Sequence, residues 1–357
     1  MLAEITARVN AGAPLDVASA RWLFEHAPDD ALSALATTAR DRRHPPRRAT
    51  YLMMAIVNTT NVCVARCDYC AFYRLPKHPE GYLLTFDQIC ERIDALRAYG
   101  GTMVGFNGGF HPKLRIIDYA ELFQKLRARY PDLEFYEMTV AEFMYACKVS
   151  RLTYAEGAEI LKAHGTRWVT GGGAEILADS FRLRHSPLKY TVDDYFDAQR
   201  AILAAGLGST ATMVIGFDES LDERFEHLER LRAFQDSVGG ALPSLLCWTY
   251  KPYNNELGGV EIGSGEYLRW LAICRLFLHN FDHLRASVLT QNERALDGLR
   301  FGADDFDLPT EDEVTTRAGA TIDRDFARVL QAARTAGYEP VQRAPFPVPV
   351  ARAPSPG

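Results

Sequence analysis

Hydrophobic residues follow two alternating patterns along most of the chain. Short apolar runs occur at 51–60, 101–109, 133–139, 166–173, 209–217, 243–250 and 284–290. Amphipathic stretches with helical spacing separate them, at 85–99, 118–129, 154–164, 192–205, 221–237 and 265–280. Nearly continuous hydrophobic strands that alternate with helices are typical of a parallel sheet covered on both faces. The pattern therefore predicts an α/β fold, a full or partial TIM-like (β/α) barrel.

The two ends of the chain depart from this pattern. Helical spacing in "PLDVASARWLFEHA" predicts an N-terminal helical segment at 1–48, before a barrel at 49–310. Residues 311–343 are predicted to form a C-terminal extension of helix and strand. The proline-rich text "PFPVPVARAPSPG" predicts a disordered tail at 344–357.

Composition and charge narrow the function classes. The net charge of −6 argues against nucleic-acid binding as the main role. The chain lacks both a basic start followed by an apolar run and a stretch of ~18 uncharged apolar residues, so neither a signal peptide nor a membrane span is expected. Its seven cysteines are an odd number without regular pairing. This favours a reducing compartment, and the cytoplasm is the predicted location.

Three cysteines, Cys63, Cys67 and Cys70, are close together in the segment "NVCVARCDYCAFYR". Structural zinc uses four ligands, and no second pair of Cys or His follows at zinc-finger spacing. A redox dithiol would leave Cys63 without a role. An iron–sulfur cluster fits better, because thiolates bind iron clusters at such spacings. A cubane cluster bound by three thiolates has one iron without a protein ligand. Such an open position is typical of a reactive metal site and not of a structural one.

The remaining cysteines are isolated in apolar stretches and are predicted to be buried: Cys90, Cys147, Cys247 and Cys274.

The position of the cluster of cysteines also points to chemistry. In β/α barrels the working residues lie at the C-terminal ends of strands and in the loops that follow. The cysteines follow the first predicted barrel strand, and later strands end in "NGG" (107–109), "TGGGAE" (170–175) and "GFDES" (216–220). Glu137 and Thr139 end the third strand and are also expected to face this mouth, although Glu137 could instead lie at the surface.

The text Cys63-x-x-x-Cys67-x-Tyr69-Cys70 resembles the signature of radical S-adenosylmethionine (SAM) enzymes. The resemblance implies that the thiolates hold a [4Fe-4S] cluster whose open iron binds SAM. It also implies that the reduced cluster cleaves SAM to a 5′-deoxyadenosyl radical. The residues that it places near SAM are Tyr69, Phe72, Asn107, Gly108, Gly109 and Glu175. The acidic residue that usually follows the two glycines is missing from "GGFHP".

Further segments resemble the radical SAM enzymes of the futalosine branch of menaquinone biosynthesis, over most of the chain. They include "GGFHP", "GGGAEIL", "STATMVIGF", "YKPYNNEL" and "FGADDFD". Two enzymes of that branch are similar: one adds the adenosyl radical to an enol ether, and the other removes a ribose hydrogen and closes a spiro ring. The texts "TNVC", "CAFY", "TATM" and "PYNNEL" favour the cyclising reaction. The addition reaction and a deazaflavin-precursor synthesis remain alternatives.

The same resemblance implies a small-molecule substrate, a futalosine-derived benzoate riboside, and an electron donor such as flavodoxin or ferredoxin. A carboxylate on the substrate needs a donor or a cation, for which Arg182, Arg184 and Lys189 are candidates. The other catalytic or substrate-binding candidates are Glu137, Thr139, Thr212 and Tyr250. Outside this class, a non-enzymatic iron–sulfur carrier would need four protein ligands, and a zinc-binding module would be colourless.

Overall fold

The computed structural model of the chain describes residues 1–344. Residues 345–357, nearly all of the tail predicted to be disordered, lie outside the described residues. The strands are β1 (Arg48–Asn58), β2 (Met103–Asn107), β3 (Glu134–Tyr136), β4 (Met138–Thr139), β5 (Val169–Thr170), β6 (Ala211–Ile215), β7 (Ser244–Thr249), β8 (His283–Ala286), β9 (Asp305–Asp312) and β10 (Glu339–Gln342).

Helices precede the barrel and connect its strands. The first three are α1 (Leu2–Asn10), α2 (Val17–His26) and α3 (Asp29–Asp41). The others are α4 (Phe86–Ala98), α5 (Ile116–Arg129), α6 (Val140–Ser150), α7 (Tyr154–Ala163), α8 (Asp179–His185), α9 (Val192–Ala204), α10 (Leu221–Ser237), α11 (Ser264–Phe277), α12 (Val288–Gln291), a 3-10 helix (Asn292–Phe301), α13 (Glu313–Arg317) and α14 (Phe326–Thr335).

Capping boxes fix the start of several connecting helices, so the loops at the barrel mouth have defined ends. In these boxes a Ser or Thr side chain accepts from the backbone N–H three residues on, and the side chain there accepts from the cap's own N–H. Such caps contribute about 1 kcal/mol each. They are found at Thr85, Thr139, Thr153, Thr191 and Ser220.

The sheet is parallel and curls around a central cavity. Seven strands follow one another in the order β3-β2-β1-β9-β8-β7-β6, and β10 adds to the first half of β1. The two ends of this path are linked by the short parallel pair β4–β5 and by a single bridge between Trp168 and Gly208. The predicted β/α barrel is therefore confirmed.

The link between β5 and β6 depends on two glycines. A Cβ atom on Gly208 would lie 2.5 Å from the ring of Trp168, and one on Gly171 would lie 2.2 Å from the carbonyl oxygen of Thr210. Trp168 is itself fully buried at 1% exposure. The Val169 N–H donates to the Gly208 carbonyl oxygen at 3.0 Å across this junction. Any side chain at these positions would force the strands apart.

Each predicted apolar run contains a strand, but the runs do not include β9, whereas β10 lies within the extension of helix and strand predicted at 311–343. The reason is visible in the text of β9, "DFDLPTED", whose inward carboxylates break the apolar run. Asp305 and Asp307 are both buried there. The run at 284–290 also changes structure midway, because Ser287 caps α12 and ends the strand.

The N-terminal helices cover the outside of the barrel. Helix α3 packs against α11 and the 3-10 helix, and buried Arg40 donates from Nε to the Ala303 carbonyl oxygen at 3.2 Å. Within residues 1–344, no helix is both long and apolar enough to cross a bilayer.

We predict that Gly208→Ala lowers the free energy of unfolding by about 1–3 kcal/mol, because the new methyl group overpacks against the buried Trp168 ring. Gly265→Ala is the matched control, since a Cβ there meets no atom within 4 Å and the residue lies in the first turn of α11. It should be neutral or stabilising, as alanine favours a helix. Chemical denaturation of both variants measures the difference, and equal stabilities would contradict this account of the junction.

Candidate active site

The loop that follows β1 carries the three clustered cysteines and is held on both sides. The Cys63 N–H donates to the Arg74 carbonyl oxygen at 2.9 Å, and the Val64 N–H donates to that of Phe110 at 3.3 Å. Gly109, in the loop after β2, packs directly against this segment, because a Cβ there would lie 2.4 Å from the Val62 carbonyl oxygen. The glycine is therefore needed to seat the cysteine loop.

The segment "PYNNEL" (252–257) also holds the cysteine loop in place. The N–H groups of Glu256 and Leu257 donate to the Asp68 carbonyl oxygen at 2.8 and 3.0 Å. The Tyr73 hydroxyl donates to the Glu256 carboxylate at 2.7 Å. Residues nearly 190 positions apart thus fix the shape of one loop.

All three clustered thiols are free and line the same cavity. Cys67 is buried, whereas Cys63 and Cys70 are partly exposed. Burial raises the pKa of the Cys67 thiol to about 12 and also raises the pKa of Cys70. Cys90, Cys147, Cys247 and Cys274 are buried in the core, as predicted.

The geometry of the thiols fits a cluster better than a single ion. Zinc bonded to sulfur at about 2.3 Å would draw its thiolates within about 4 Å of one another. Within the described residues, the cysteine sulfurs do not form a group whose members all lie within 4.8 Å. Backbone N–H groups also act on the sulfurs: that of Ala65 donates to Cys63 Sγ at 3.4 Å, and those of Phe72 and Tyr73 oppose the rise in the pKa of Cys70. Such N–H···S bonds are typical of iron–sulfur sites.

The cavity beside the thiols has a volume of about 310 Å³ and extends from the mouth into the barrel. Its wall includes these residues predicted from the sequence: Cys63, Cys67, Tyr69, Cys70, Phe72, Asn107, Gly108, Gly109, Thr139, Glu175, Thr212 and Tyr250. The inner faces of the strands supply another part of the wall, since alternate residues such as Thr210, Thr212 and Val214 of the β6 region face inward.

A buried ion pair lies on the wall next to the cysteines. Lys189 Nζ contacts both Glu175 carboxylate oxygens, at 3.0 and 2.9 Å, and lies 3.3 Å from the Tyr69 hydroxyl. Glu175 has a left-handed backbone with φ of 42°, which is uncommon for a residue other than glycine and is often found at functional sites. Lys189, a candidate for binding the substrate carboxylate, is thus already paired with Glu175.

Three hydroxyl groups of the wall are held by neighbours. Thr139 caps α6 and donates to the Glu142 carboxylate at 2.8 Å, and burial raises the pKa of Glu142 to about 8. Thr212 donates to the Gly171 carbonyl oxygen at 2.6 Å. Tyr250 donates to Asn255 Oδ1 at 2.6 Å. These bonds fix the side chains without using all of their acceptor capacity.

Glu137 does not face the mouth, so the prediction that it does needs correction. Its side chain is fully buried outside the cavity wall, where Arg127 Nε donates to it at 2.7 Å and the Trp168 N–H at 2.9 Å. The bonds join β3 and β4 to the start of β5. Burial nevertheless raises the pKa of Glu137 to about 7. Its role is structural: it ties together the weakest part of the barrel wall.

The two arginine candidates also lie away from the cavity wall. Arg182 is buried and donates to the carbonyl oxygens of Tyr190 and Ala174 at 2.8 and 3.0 Å. Arg184 pairs with Glu223 at 2.7 Å near the surface. Neither side chain is placed to meet a ligand in the cavity.

The sequence patterns do not identify three polar residues of the inner wall, Trp248, Arg285 and Asp307. For Arg285 the available signal is a charge inside a predicted strand, since it interrupts "LRASVLT"; Asp307 lies in "FGADDFD", a segment outside the predicted strands. Burial raises the pKa of Asp307 to about 6.

A second set of possible metal ligands lies at the other end of the barrel. The possible ligand atoms of His44, His283 and Asp304 lie within 4.8 Å of one another. His283 is the first residue of β8, Asp304 directly precedes β9, and His44 precedes β1. Arg275 also donates to Asp304, and that guanidinium opposes a bound cation. Polar groups at this face of a barrel usually serve stability.

Comparison with known proteins agrees with this geometry. Residues 57–231 match the radical SAM superfamily, and residues 246–346 match the CofH/MqnC C-terminal region. Cyclic dehypoxanthine futalosine synthase of Halalkalibacterium halodurans is 34% identical, over 93% of this chain and 90% of that protein. Aminodeoxyfutalosine synthase of Thermus thermophilus is 30% identical, over 96% of this chain and 94% of that protein.

Solved structures show the same fold. The crystal structure of methylornithine synthase (PylB) matches with a TM-score of 0.69, over 94% of this chain and 97% of that chain. The two sequences are only 17% identical, so this likeness concerns the fold alone.

We predict that Cys67→Ala removes most of the iron from anaerobically reconstituted protein, together with its visible absorption, because two thiolates leave an edge of the cluster unprotected. Cys90→Ala is the matched control: the same change on a cysteine that is buried in α4 and does not line the cavity. It should keep both signals. Iron analysis and absorption spectra measure the outcome, and full iron content in Cys67→Ala would refute the assignment.

Proposed function

This chain belongs to the radical SAM superfamily, and from that premise we propose that it converts dehypoxanthine futalosine to cyclic dehypoxanthinyl futalosine in menaquinone biosynthesis. The hydrogen atom on ribose C4′ is removed, and that carbon is joined to the benzoate ring. The observation that carries the proposal is the loop of three free thiols on a closed barrel cavity. The similarity to the cyclising enzyme over 93% of the chain supports the choice of reaction.

The proposed reaction leaves the product two hydrogens lighter than the substrate. One leaves as a hydrogen atom, and the other leaves as an electron and a proton when the ring becomes aromatic again; the electron would pass to an oxidised one-electron carrier and the proton to a base or water. When bound, the [4Fe-4S] cluster and SAM supply the 5′-deoxyadenosyl radical that accepts the hydrogen atom. An external donor such as flavodoxin or ferredoxin would supply the starting electron, and the cytoplasm would keep the thiols reduced.

In this proposal Cys63, Cys67 and Cys70 hold the cluster and leave one iron open. The backbone N–H groups directed at the sulfurs stabilise negative charge on them. Burial of Cys67 favours its neutral thiol, so the thiolate needs the positive charge of iron as its partner. The loop is therefore suited to a metal and poorly suited to a free reactive thiolate.

SAM would lie between the cysteine loop and the Glu175–Lys189 pair. The Glu175 carboxylate can accept from the SAM amino group, and Gly108 and Gly109 let the backbone approach the same group. Tyr69 and Phe217, whose ring centres lie 5.1 Å apart, offer an aromatic surface for adenine. The positive charge of Lys189 is close enough to assist a carboxylate of SAM.

The substrate would occupy the inner part of the cavity. Hydrogen-atom removal depends mainly on holding the correct C–H bond closest to the radical. The wall excludes water through apolar side chains such as Met54, Ile56 and Leu246, which limits side reactions. Thr139 and Tyr250, at the C-terminal ends of β4 and β7, provide polar groups nearer the mouth, where the ribose would lie, whereas Thr212 lies deeper, in register with Leu246.

A second function remains worth testing, because the chain is also 30% identical to aminodeoxyfutalosine synthase. In that reaction the adenosyl radical adds to an enol-ether benzoate, and carbon dioxide is released. The two reactions differ in the fate of the adenosyl group.

We expect deuterium placed at ribose C4′ of dehypoxanthine futalosine to appear in the methyl group of 5′-deoxyadenosine. The physical reason is that the radical removes this atom and leaves as a free molecule. Anaerobic incubation with SAM and dithionite, followed by mass spectrometry of both products, is the measurement. Deuterium-free 5′-deoxyadenosine, or an adenosine adduct of the enol-ether benzoate, would exclude the cyclase proposal.

A second prediction concerns SAM binding. Glu175→Gln should weaken the binding of SAM about tenfold or more, because a hydrogen bond to a charged group contributes about 1.5–3 kcal/mol. Cluster iron should stay unchanged. Glu261→Gln is the matched control, since Glu261 pairs with another lysine of the wall, Lys251, at 2.6 Å. Equal SAM affinity in the two variants would return Glu175 to a purely structural role.

A further inference from the structure

We infer that the inner end of the cavity is a carboxylate-binding subsite, in which Arg285, aided by Tyr136 and Trp248, holds the benzoate group of the substrate. The identity of that carboxylate rests on the proposed function, whereas the subsite itself rests on the structure. All three residues line the cavity.

Arg285 is a buried cation with unused donors. It lies in β8 and is only 4% exposed. Its Nε donates to Asp305 Oδ2 at 2.8 Å, and within residues 1–344 its two terminal nitrogens donate to no protein acceptor. Because Nε is occupied, the edge formed by the two terminal nitrogens remains for a second, bidentate carboxylate.

The charges around Arg285 also leave room for an anion. Asp305 is shared, since Arg343 donates to it through Nε at 2.9 Å and through Nη2 at 2.5 Å, and Thr50 donates to it at 2.7 Å. Two guanidinium groups therefore face one carboxylate. Asp307 accepts the Val288 N–H at 2.7 Å and forms no ion pair with Arg285 in the described part of the chain. Because the Asp307 carboxylate also acts on Arg285, the place for an anion is defined by the unbonded terminal edge of the Arg285 guanidinium and not by a net positive charge.

Two further donors of the wall have no partner among residues 1–344. The Tyr136 hydroxyl and the Trp248 indole N–H are buried and make no hydrogen bond within that part of the chain. Most buried polar groups in proteins are hydrogen-bonded, so two unpaired donors on one cavity are unusual. A carboxylate has enough lone pairs to accept from both of them and from Arg285.

The surroundings suit an aromatic ring attached to the carboxylate. Met54, Leu246 and the rings of Tyr136 and Trp248 give the inner cavity apolar faces. Gly105 keeps the space open, because a Cβ there would lie 3.2 Å from the Met54 methyl group.

The two ends of the cavity also match the two ends of the substrate. Arg285 is level with Asp305, the first residue of β9, and through it with Thr50 near the start of β1, whereas the cysteines follow the C-terminal end of β1. A benzoate anchored at Arg285 would therefore direct its ribose toward the cysteines.

The test compares dehypoxanthine futalosine with its carboxamide, which has the same shape but no charge. Isothermal titration calorimetry on cluster-loaded protein with SAM, without reductant, measures binding in the absence of turnover. The wild-type protein should bind the acid roughly 30-fold more tightly than the amide or better, as for a buried charge pair. Arg285→Gln should remove that preference, and Tyr136→Phe should reduce it about threefold to tenfold.

Arg275→Gln is the matched control. Arg275 is equally buried and pairs with Asp304, but it lies outside the cavity wall. Its variant should keep the wild-type preference for the acid. Each variant removes one arginine partner of a buried aspartate, but that aspartate keeps another partner. Arg343 remains for Asp305 in Arg285→Gln, and His283 remains for Asp304 in Arg275→Gln. Both proteins are therefore expected to fold, and circular dichroism checks this.

The outcomes separate this inference from the proposed function. A preference for the acid that survives in Arg285→Gln, or no preference for either acid in the wild type, overturns the subsite even if the enzyme turns over dehypoxanthine futalosine. The same titrations with 3-methylbenzoate and 3-methylbenzamide do not depend on the reaction. If only the small acid shows an Arg285-dependent preference and no turnover occurs, the subsite stands and the proposed function falls.

Discussion

Closure of the barrel between β5 and β6 is the constraint on which the site depends. The strands meet there through one bridge and a few hydrogen bonds, and they can meet only because Gly171 and Gly208 carry no side chain. Buried Glu137 strengthens the same region by accepting from Arg127 and from the Trp168 N–H. With the ring complete, "TGGGAE" comes to the mouth and Glu175 reaches the cavity. A glycine-rich segment that resembles a ligand-binding loop thus also serves closure.

The closed ring separates two kinds of chemistry within one cavity. At the mouth, a loop held by Arg74, Phe110 and the 256–257 backbone presents three thiols beside a lysine–glutamate pair. Inside, the strands present an arginine whose own aspartate is shared with a second arginine. The reactive end is built from loops, and the recognising end is built from strands. In the proposed reaction, a radical generated at the mouth would therefore meet a substrate whose far end is held by strands of the barrel.

The sequence predicts the barrel, the cysteine loop and most of the mouth, because these follow from local patterns. Apolar runs mark strands, and the spacing from Cys63 to Cys70 marks a metal loop. Long-range packing is not visible in the same way. In the sequence, Arg182 and Arg184 look like cations available to a ligand. In the structure, Arg182 donates to the carbonyl oxygens of Tyr190 and Ala174, and Arg184 pairs with Glu223. Arg285 looks like an interruption of a strand, and only the closed ring shows that this charge faces a cavity. Buried charges were the least predictable feature, since their partners come from distant strands.

The pairing of β1 has a consequence for how the protein is made. The strand that carries the cysteine loop is completed by β9 and β10, and Thr50 bonds to Asp305, 255 positions later in the chain. At about 5–20 residues per second, a ribosome needs roughly 10–50 s to cover that distance. Throughout that time one edge of β1 is unpaired and the cavity wall lacks the residues that β9 contributes, such as Asp307. Insertion of iron and sulfur is therefore expected to follow release of the chain, when the last strands have docked, and not to accompany translation.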